Sequence, residues 1–471
     1  MFLKINQKTL IYIVSLFYLS FFLALGTHTD NFFNLKNINF LNIINGMRFL
    51  SAFILSVFMI IFSIFIFKKE KIFTNLFFLF FICMLVPFFL GERKPNFMEI
   101  YLGVLSIGCV SFFSILSYLK IPNIFNKIII LSICYNSFAA LTLFISNLEQ
   151  LNIFDQNYYY FSNINTGFIG TYFPRTTGLS RSFAILSISL LFLYYNQNKY
   201  RKLLLFSSII LNIFIWKMQS RGAIVCYLTA FLFFILFMDK INIKFLIKNI
   251  FVFIVLPIFI SQYILTNKNY NIMKEIFIKK NSVTSDQPHT DGLNNNKNNK
   301  NELEKYIYNE FIKKYNQSGD IRFINKFPIV KDNTGSGRVY LWKTALNKFN
   351  QKIFGHGIQA DRFLLPAASG YGSNVSNGFI YALISGGYAS LLILIFFTSV
   401  FLFRIFKLLI IDKINLKKIN KYHFFSIIII IFFLTRSLIE NSFTIFSADL
   451  LIIAPCFFLL IEKYEKKKIK N

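Results

Sequence analysis

Charge is scarce in this chain. Only 15% of its 471 residues are Asp, Glu, Lys or Arg, where soluble domains sit near about a quarter. That shortage excludes an ordinary cytosolic globule, and a hydrophobic share of 55% excludes a disordered chain. Glycine is too sparse, at 20 residues, for a collagen. Cysteine is too sparse, at 5, for a disulfide-rich secreted scaffold. Cys83, Cys109, Cys134, Cys226 and Cys456 all fall inside apolar stretches, and no pair has metal-ligand spacing. They read as small buried hydrophobes, with no disulfide and no metal site implied. Acids are scarcer than bases, 21 against 50, which gives a formal net charge of +29. A basic balance can signal nucleic-acid binding. Here most lysines flank apolar stretches, where the positive-inside rule puts them, so no nucleic-acid partner is expected. The abundance of Phe, Asn and Lys also fits a genome poor in G and C, so part of the charge carries no message. No internal repeat is visible.

What is present is a series of apolar runs, about twelve of them, each long enough to approach a bilayer crossing of roughly 20 residues. They cover residues 9–26, 49–67, 72–90, 98–119, 124–145, 178–195, 202–218, 221–238, 245–265, 377–403, 424–436 and 443–461. The first follows Lys4 and Lys8 and lacks a small-x-small cleavage site, so it reads as an uncleaved signal-anchor. With the N-terminus inside, the inner short segments hold about two dozen Lys and Arg, against roughly nine outside. An even number of crossings puts both termini in the cytoplasm. Only helices or closed barrels satisfy the backbone in lipid, and these runs are too long and too continuously apolar for barrel strands. The expected fold is an all-α polytopic membrane helix bundle of about 12 transmembrane helices with a large helical outer loop. Three regions follow: residues 1–266, an N-terminal transmembrane bundle; 267–375, the outer loop; and 376–471, the C-terminal transmembrane helices.

The outer loop is unlike the other connections. Loops of about a hundred residues are functional or disordered. Residues 281–301 are Asn-rich and should be flexible. Leu303, Ile307, Phe311 and Tyr315 share one face of an expected amphipathic helix over 302–315. A second helix should start after Ser336-Gly337, with Ser336 as N-cap and Val339, Trp342, Leu346 and Phe349 as its apolar stripe.

Charges at membrane depth are costly and therefore functional candidates. Arg175 and Arg181 enter the sixth stretch. Lys217 and Arg221 flank a tight outer turn, Arg338 opens the second loop helix, and Arg436 and Glu440 stand one helical turn apart. Positive groups on the outer face oppose the topology rule, and a fixed anionic ligand would account for them. A guanidinium offers phosphate two parallel charge-assisted hydrogen bonds, and the start of the Arg338 helix adds backbone N–H groups. The plain alternative is that each arginine snorkels or pairs with a nearby acid, although the outer short segments offer few acids. In Gly355-His356-Gly357, His356 could accept a proton near neutral pH, or simply be a solvent-exposed loop residue. Asp361 follows closely.

The order of motifs is distinctive. An Arg-x-x-Gly entry to a span comes first, then Ser220-Arg221-Gly222-Ala223, then a long outer loop with Gly337-Arg338-x-x-x-Trp342 and Gly355-x-Gly357. Ser376-Asn377-Gly378-Phe379-Ile380 and Gly386-Gly387 follow, and Arg436-x-x-x-Glu440 closes the series. Over residues 173–440 this resembles the O-antigen ligase / O-antigen polymerase superfamily. The resemblance implies a metal-independent membrane glycosyltransferase of the bacterial inner membrane that needs no cofactor. It would take a glycan from undecaprenyl diphosphate at the periplasmic face and transfer it to a sugar hydroxyl. The acceptor would be lipid A core or another glycan, in lipopolysaccharide or surface polysaccharide synthesis. By motif position, Arg221 and Arg338 would hold the diphosphate, with Arg175 a third candidate and Arg436, Ser376 and Asn377 completing the substrate-binding set. Family ligases carry a His-Asn pair where this chain has Ser376-Asn377. That departure has three competing readings: a polymerase-like member with a different arrangement, which is favoured; His356 or Asp361 as a replacement base from nearby in the loop; or a protein inactive as a ligase. The lipid bilayer and a chain-length regulator or other envelope-assembly proteins are the further partners implied. The competing readings are a transporter, such as a flippase of lipid-linked oligosaccharide, and a non-catalytic membrane scaffold. A transporter would favour inverted repeats and charges near mid-membrane.

Overall fold

The computed structural model describes residues 7–24, 39–67, 72–91, 94–95, 97–119, 121, 123–146, 176–196, 200–218, 220–237, 243–264, 338–365, 375–406, 421–442 and 444–468. Arg175, Ser336 and the amphipathic helix expected over 302–315 lie outside these residues. Among the described residues the chain is helical, with no strand. A helix, unbroken or interrupted, occupies each apolar stretch. These are α1 (Gln7–Leu23), α2 (Asn39–Phe67), α3 (Ile72–Cys83) with the short α4 (Val86–Phe89), α5 (Phe97–Leu119), α6 (Ile124–Ser146), α7 (Thr176–Asn196), α8 (Arg201–Lys217) and α9 (Arg221–Phe237). α10 then runs from Ile243 to Ile264 through two π-helical stretches, Phe251–Val255 and Ile260–Ile264. After the loop come α11 (Arg338–Lys348), α12 (Ala360–Leu364), α13 (Gly378–Phe406), α14 (Lys421–Ser437) and α15 (Ala448–Lys468).

Four helical stretches are long and apolar enough to cross a membrane by length and composition: Glu99–Leu119, Leu179–Asn196, Lys244–Ile264 and Gly378–Phe403. Shorter apolar helices accompany them. Lipid-type exposure is clearest on α2, where Leu50, Ile54, Phe58 and Ile61 form an exposed stripe at helical spacing. Opposite such faces lies a core of aromatic rings. Tyr18 and Phe21 of α1, Phe112 and Phe113 of α5, Phe125 of α6 and Phe458 of α15 are all buried. Four cysteines are buried as expected, but Cys134 is exposed, so it lines an outer face of α6 rather than the core.

Prolines explain several buried polar side chains. A proline inside a helix leaves the carbonyl four residues earlier without its donor, and lipid offers no water to replace it. Pro455 in α15 frees the Leu451 carbonyl, which accepts the Tyr18 hydroxyl and, at 3.4 Å, the Ser132 hydroxyl. Pro257 in α10 frees the Phe253 carbonyl, which accepts Asn212 Nδ2 at 3.2 Å. Tyr18, Ser132 and Asn212 are thus the donors that make each interrupted helix tolerable in the core.

The same rule governs the largest interruption. At Gly387 the backbone of α13 turns to φ 69°, ψ −164°, a conformation that essentially only glycine adopts. Tyr388 and Ala389 can no longer donate to Ile384 and Ser385. A strap of chain, residues 352–358, takes up all four groups. The amides of His356 and Gly357 donate to the Ile384 and Ser385 carbonyls at 2.8 and 2.9 Å. The amides of Tyr388 and Ala389 donate to the Lys352 and Ile353 carbonyls at 3.4 and 3.1 Å. The strap continues to the gap between α3 and α4, where Ile358 donates to Met84 at 3.1 Å. Gly355 fits here because a Cβ would stand 2.5 Å from the Ile384 oxygen. The Gly355-x-Gly357 and Gly386-Gly387 motifs are therefore two halves of one joint. Before the joint, Tyr381 through Gly387 are buried; after it, Tyr388, Leu392, Ile395 and Phe396 are exposed. The loop clothes the first turns of α13, and the rest presents an apolar outer surface.

Candidate active site

Helix termini converge at one end of the bundle. α14 ends there, and α7, α9, α11, α13 and α15 begin there. The contacts that establish this are carried by the arginines and by the chain following α14. Arg436, near the end of α14, places Nε 3.2 Å from Asp449 Oδ2 in the first turn of α15. Arg181, in the second turn of α7, places Nη1 2.8 Å from Asp449 Oδ1. Arg338, the first residue of α11, places Nη2 3.1 Å from Glu440 Oε1. Arg221 opens α9 and is exposed. A Cβ on its neighbour Gly222 would stand 3.0 Å from Ile439 Cδ1, which brings the start of α9 beside the turn that carries Glu440.

Sequence-derived candidates are thus partly gathered. Arg338 and Arg436 meet around residues 436–449, and Arg221 lies alongside. The expectation that few acids are at hand is corrected: Asp449 and Glu440 pair with Arg181, Arg436 and Arg338. Asp449 is a residue the sequence reading passed over. An acid inside the apolar stretch 443–461 is the same costly feature that singled out the arginines. The pairings differ in kind. The side chains of Arg181, Arg436 and Asp449 are 12, 9 and 4% exposed, and those of Arg338 and Glu440 are 29 and 18%. Buried charges need partners, since removing one member costs about 3–5 kcal/mol. The Arg181–Asp449–Arg436 trio is a foundation that ties α7, α14 and α15 together. Even so, Arg181 Nε has no hydrogen-bond partner among the described residues. Guanidinium groups outnumber carboxylates two to one here, at an end where five helix N-termini add positive dipole ends.

α11 is the expected loop helix, but its buried stripe is rotated. Leu341, Ala345 and Phe349 are buried, while Val339 and Leu346 are exposed. The helix packs on α13 and α12 instead of resting on lipid, and that neighbour chooses the face. Trp342, one turn from Arg338, donates its indole N–H to the Val375 carbonyl at 2.8 Å. Val375 N–H in turn donates to Asp361 Oδ2 at 3.2 Å. The two side chains staple the chain just before α13. Ser376 follows in the left-handed region at φ 48°. Asn377 then caps α13: the amides of Phe379 and Ile380 each donate to its Oδ1 at 3.0 Å, and its Nδ2 donates to the Leu438 carbonyl at 2.8 Å.

Asn377 therefore joins α13 to the Arg436–Glu440 turn. Asn377→Ala is expected to cost about 1–2 kcal/mol for the lost cap and to lower the melting temperature in detergent. Asn377→Asp keeps the acceptor and should recover most of the cap. Equal melting of wild type and Asn377→Ala would show that the cap contributes nothing.

His356 is not brought to the arginines. Its Nε2 lies 3.1 Å from the Phe349 carbonyl, beyond the far end of α11 from Arg338. Eleven residues of helix separate those ends, about 16 Å at 1.5 Å per residue. The backbone of His356 belongs to the α13 joint. Asp361 is 1% exposed and engaged with Val375. Ser376 and Asn377 lie nearer the arginines, linked to them through Leu438. No group of three His, Cys, Asp or Glu side chains suited to a metal occurs among the described residues.

This arrangement is that of a protein of apolar helices, four of them long enough to cross a membrane, whose arginines Arg181, Arg221, Arg338 and Arg436 gather at one end of the bundle as a candidate site for an anion. Residues 206–395 match the family model described as O-Antigen ligase, which supports the O-antigen ligase/polymerase superfamily. The matched segment contains Arg221, Arg338, the strap and Ser376-Asn377, and it stops short of Arg436, Glu440 and Asp449. No curated protein and no solved structure matches the chain.

Proposed function

We propose that this protein is a polymerase-like membrane glycosyltransferase. It moves a glycan from undecaprenyl diphosphate to a sugar hydroxyl on the periplasmic face of the bacterial inner membrane, in lipopolysaccharide or surface polysaccharide synthesis. The observation that carries the reading is the convergence of Arg181, Arg221, Arg338 and Arg436 at one end of the bundle. A lipid diphosphate is a good ligand for such a site. As the sugar departs, negative charge grows on the phosphate oxygens, and fixed guanidinium groups stabilise it where it develops. Arg221 and Arg338 are accessible enough to touch the diphosphate, and the Arg181–Asp449–Arg436 trio fixes α14, whose following turn lies beside both. This reading is of a metal-independent transfer, so product should still form in the presence of a chelator.

The same reading has twelve crossings, cytoplasmic termini and residues 267–375 as a periplasmic loop lying over the bundle. The acceptor is a second glycan unit, with a chain-length regulator as a natural partner. Serine at position 376, in place of the histidine of family ligases, is the reason for placing polymerisation ahead of ligation.

Deletion followed by glycan profiling tests the proposal. Loss of long chains with accumulation of the lipid-linked unit is expected. Intact lipid-linked chains that never reach the lipid core would mean ligase instead. Arg221→Ala should reproduce the deletion while the protein remains in the membrane. Normal surface glycan in both strains would overturn the proposal.

A further inference from the structure

Glycosyl transfer to a hydroxyl needs somewhere for the proton to go. The following inference rests on the glycosyltransferase reading and concerns that proton. Of the acidic side chains described, Glu99, Asp361 and Asp449 are 0, 1 and 3% exposed. Asp361 accepts from the Val375 amide, and Asp449 lies between two guanidinium groups. The described histidines are no better placed. His356 lies beyond the far end of α11, and His423 sits in the first turn of α14, at the opposite end from Arg436. Glu440 differs from all of these. It is partly exposed, it belongs to the turn after α14, and it touches Arg338, a guanidinium accessible to the diphosphate. The same turn is bound through Leu438 to Asn377, so it stands beside the point where α13 begins.

We propose that Glu440 is the proton acceptor of the transfer, kept against Arg338 until a diphosphate claims that guanidinium. In the resting protein one contact of 3.1 Å joins them. A guanidinium carries five N–H donors, so phosphate oxygens can bind Arg338 and loosen its hold on the carboxylate. The step balances. The acceptor oxygen forms a bond to the anomeric carbon as its proton passes to the Glu440 carboxylate. The bond from the anomeric carbon to the phosphate oxygen breaks, and its electron pair leaves with the lipid diphosphate. Glu440 then returns the proton to water and pairs again with Arg338. The pair thus couples donor arrival to base release: before the diphosphate binds, the carboxylate is engaged and an acceptor hydroxyl is not activated.

Glu440→Gln tests this, because glutamine keeps the shape and an acceptor oxygen for Arg338 but takes up no proton. Donor binding is read with undecaprenyl diphosphate as probe, on full-length protein in nanodiscs. Transfer is read with lipid-linked glycan extracted from cells lacking the protein. A positioned base contributes about 100- to 10,000-fold, so Glu440→Gln should lose at least about 100-fold in kcat while probe affinity stays within about threefold. A loss of probe affinity equal to the loss of transfer would reduce Glu440 to a support for Arg338 and overturn the assignment. Should Glu440→Gln fail to accumulate, Glu440→Asp withdraws the carboxylate by one methylene. A displacement of about 1 Å can cost 100-fold, so kcat should fall at least about tenfold at unchanged affinity; a full rate overturns the proposal. Wild-type protein that neither binds the probe nor transfers glycan overturns the glycosyltransferase reading and this inference with it. Wild-type transfer beside an unimpaired Glu440→Gln overturns this inference alone.

Discussion

Arg338→Ala is expected to lower glycan transfer by about 100- to 1,000-fold, the usual loss when one fixed donor to a developing charge is removed. The protein should remain in the membrane at normal abundance. Arg338 is 29% exposed and its partner Glu440 18%, and ion pairs with that much water access contribute about 0–1 kcal/mol. Nor does the Trp342–Val375 staple that holds α11 depend on the guanidinium. Arg338→Lys separates charge from geometry. Lysine keeps the positive charge but not the planar fork, so it should recover little activity if the arginine grips two phosphate oxygens at once. Quantitative surface-glycan profiles, beside immunoblots of the membrane fraction, read both variants. Normal long chains in Arg338→Ala would remove this residue from the site.

Gly387→Ala is expected to be the most damaging glycine-to-alanine change among the described residues. Its backbone conformation costs a non-glycine residue about 1–3 kcal/mol, and the added Cβ would stand 2.0 Å from the Ile353 oxygen. The strap must then leave, and with it the partners of the Ile384 and Ser385 carbonyls and of the Tyr388 and Ala389 amides. Each unsatisfied buried group costs about 1–3 kcal/mol. Little folded protein should survive extraction, as measured by size-exclusion profiles and melting curves in detergent. Gly91→Ala is the matched control. Gly91 also has a positive φ, 75°, but nothing lies within 4 Å of its added Cβ, so only backbone strain is introduced. If both variants melt alike, the strap contributes no stability to the joint.

Much of the candidate site was legible because charge is rare in this chain. Arg181, Arg221 and Arg436 stood out as cations at the ends of apolar runs and Arg338 as the first residue of a loop helix, and all four lie at one end of the bundle. What spacing could not supply was the pairing. Arg436 and Glu440 are one turn apart, and the Glu440 amide does donate to the Arg436 carbonyl at 2.8 Å. Yet their side chains pair elsewhere, Arg436 with Asp449 and Glu440 with Arg338. His356 drew notice as a histidine between glycines near the re-entry of the chain. Its surroundings reveal a backbone role, since its amide closes the α13 joint. The apolar face of α11 was misjudged by periodicity alone, because both of its sides carry large hydrophobic residues and only the position of α13 decides which is covered.

By itself the amino-acid sequence determined that this is a helical protein for an apolar solvent and where its helices lie. Transfer from water into lipid is a sum of residue contributions, so a run of about twenty apolar side chains declares itself without reference to the rest of the chain. Tertiary structure alone decided which carboxylate meets which guanidinium, which donor serves each proline-freed carbonyl, and how two distant glycine pairs make one joint. Those outcomes depend on direction and distance between groups far apart in the chain, and a buried polar atom is satisfied or left unpaired by differences of about an ångström.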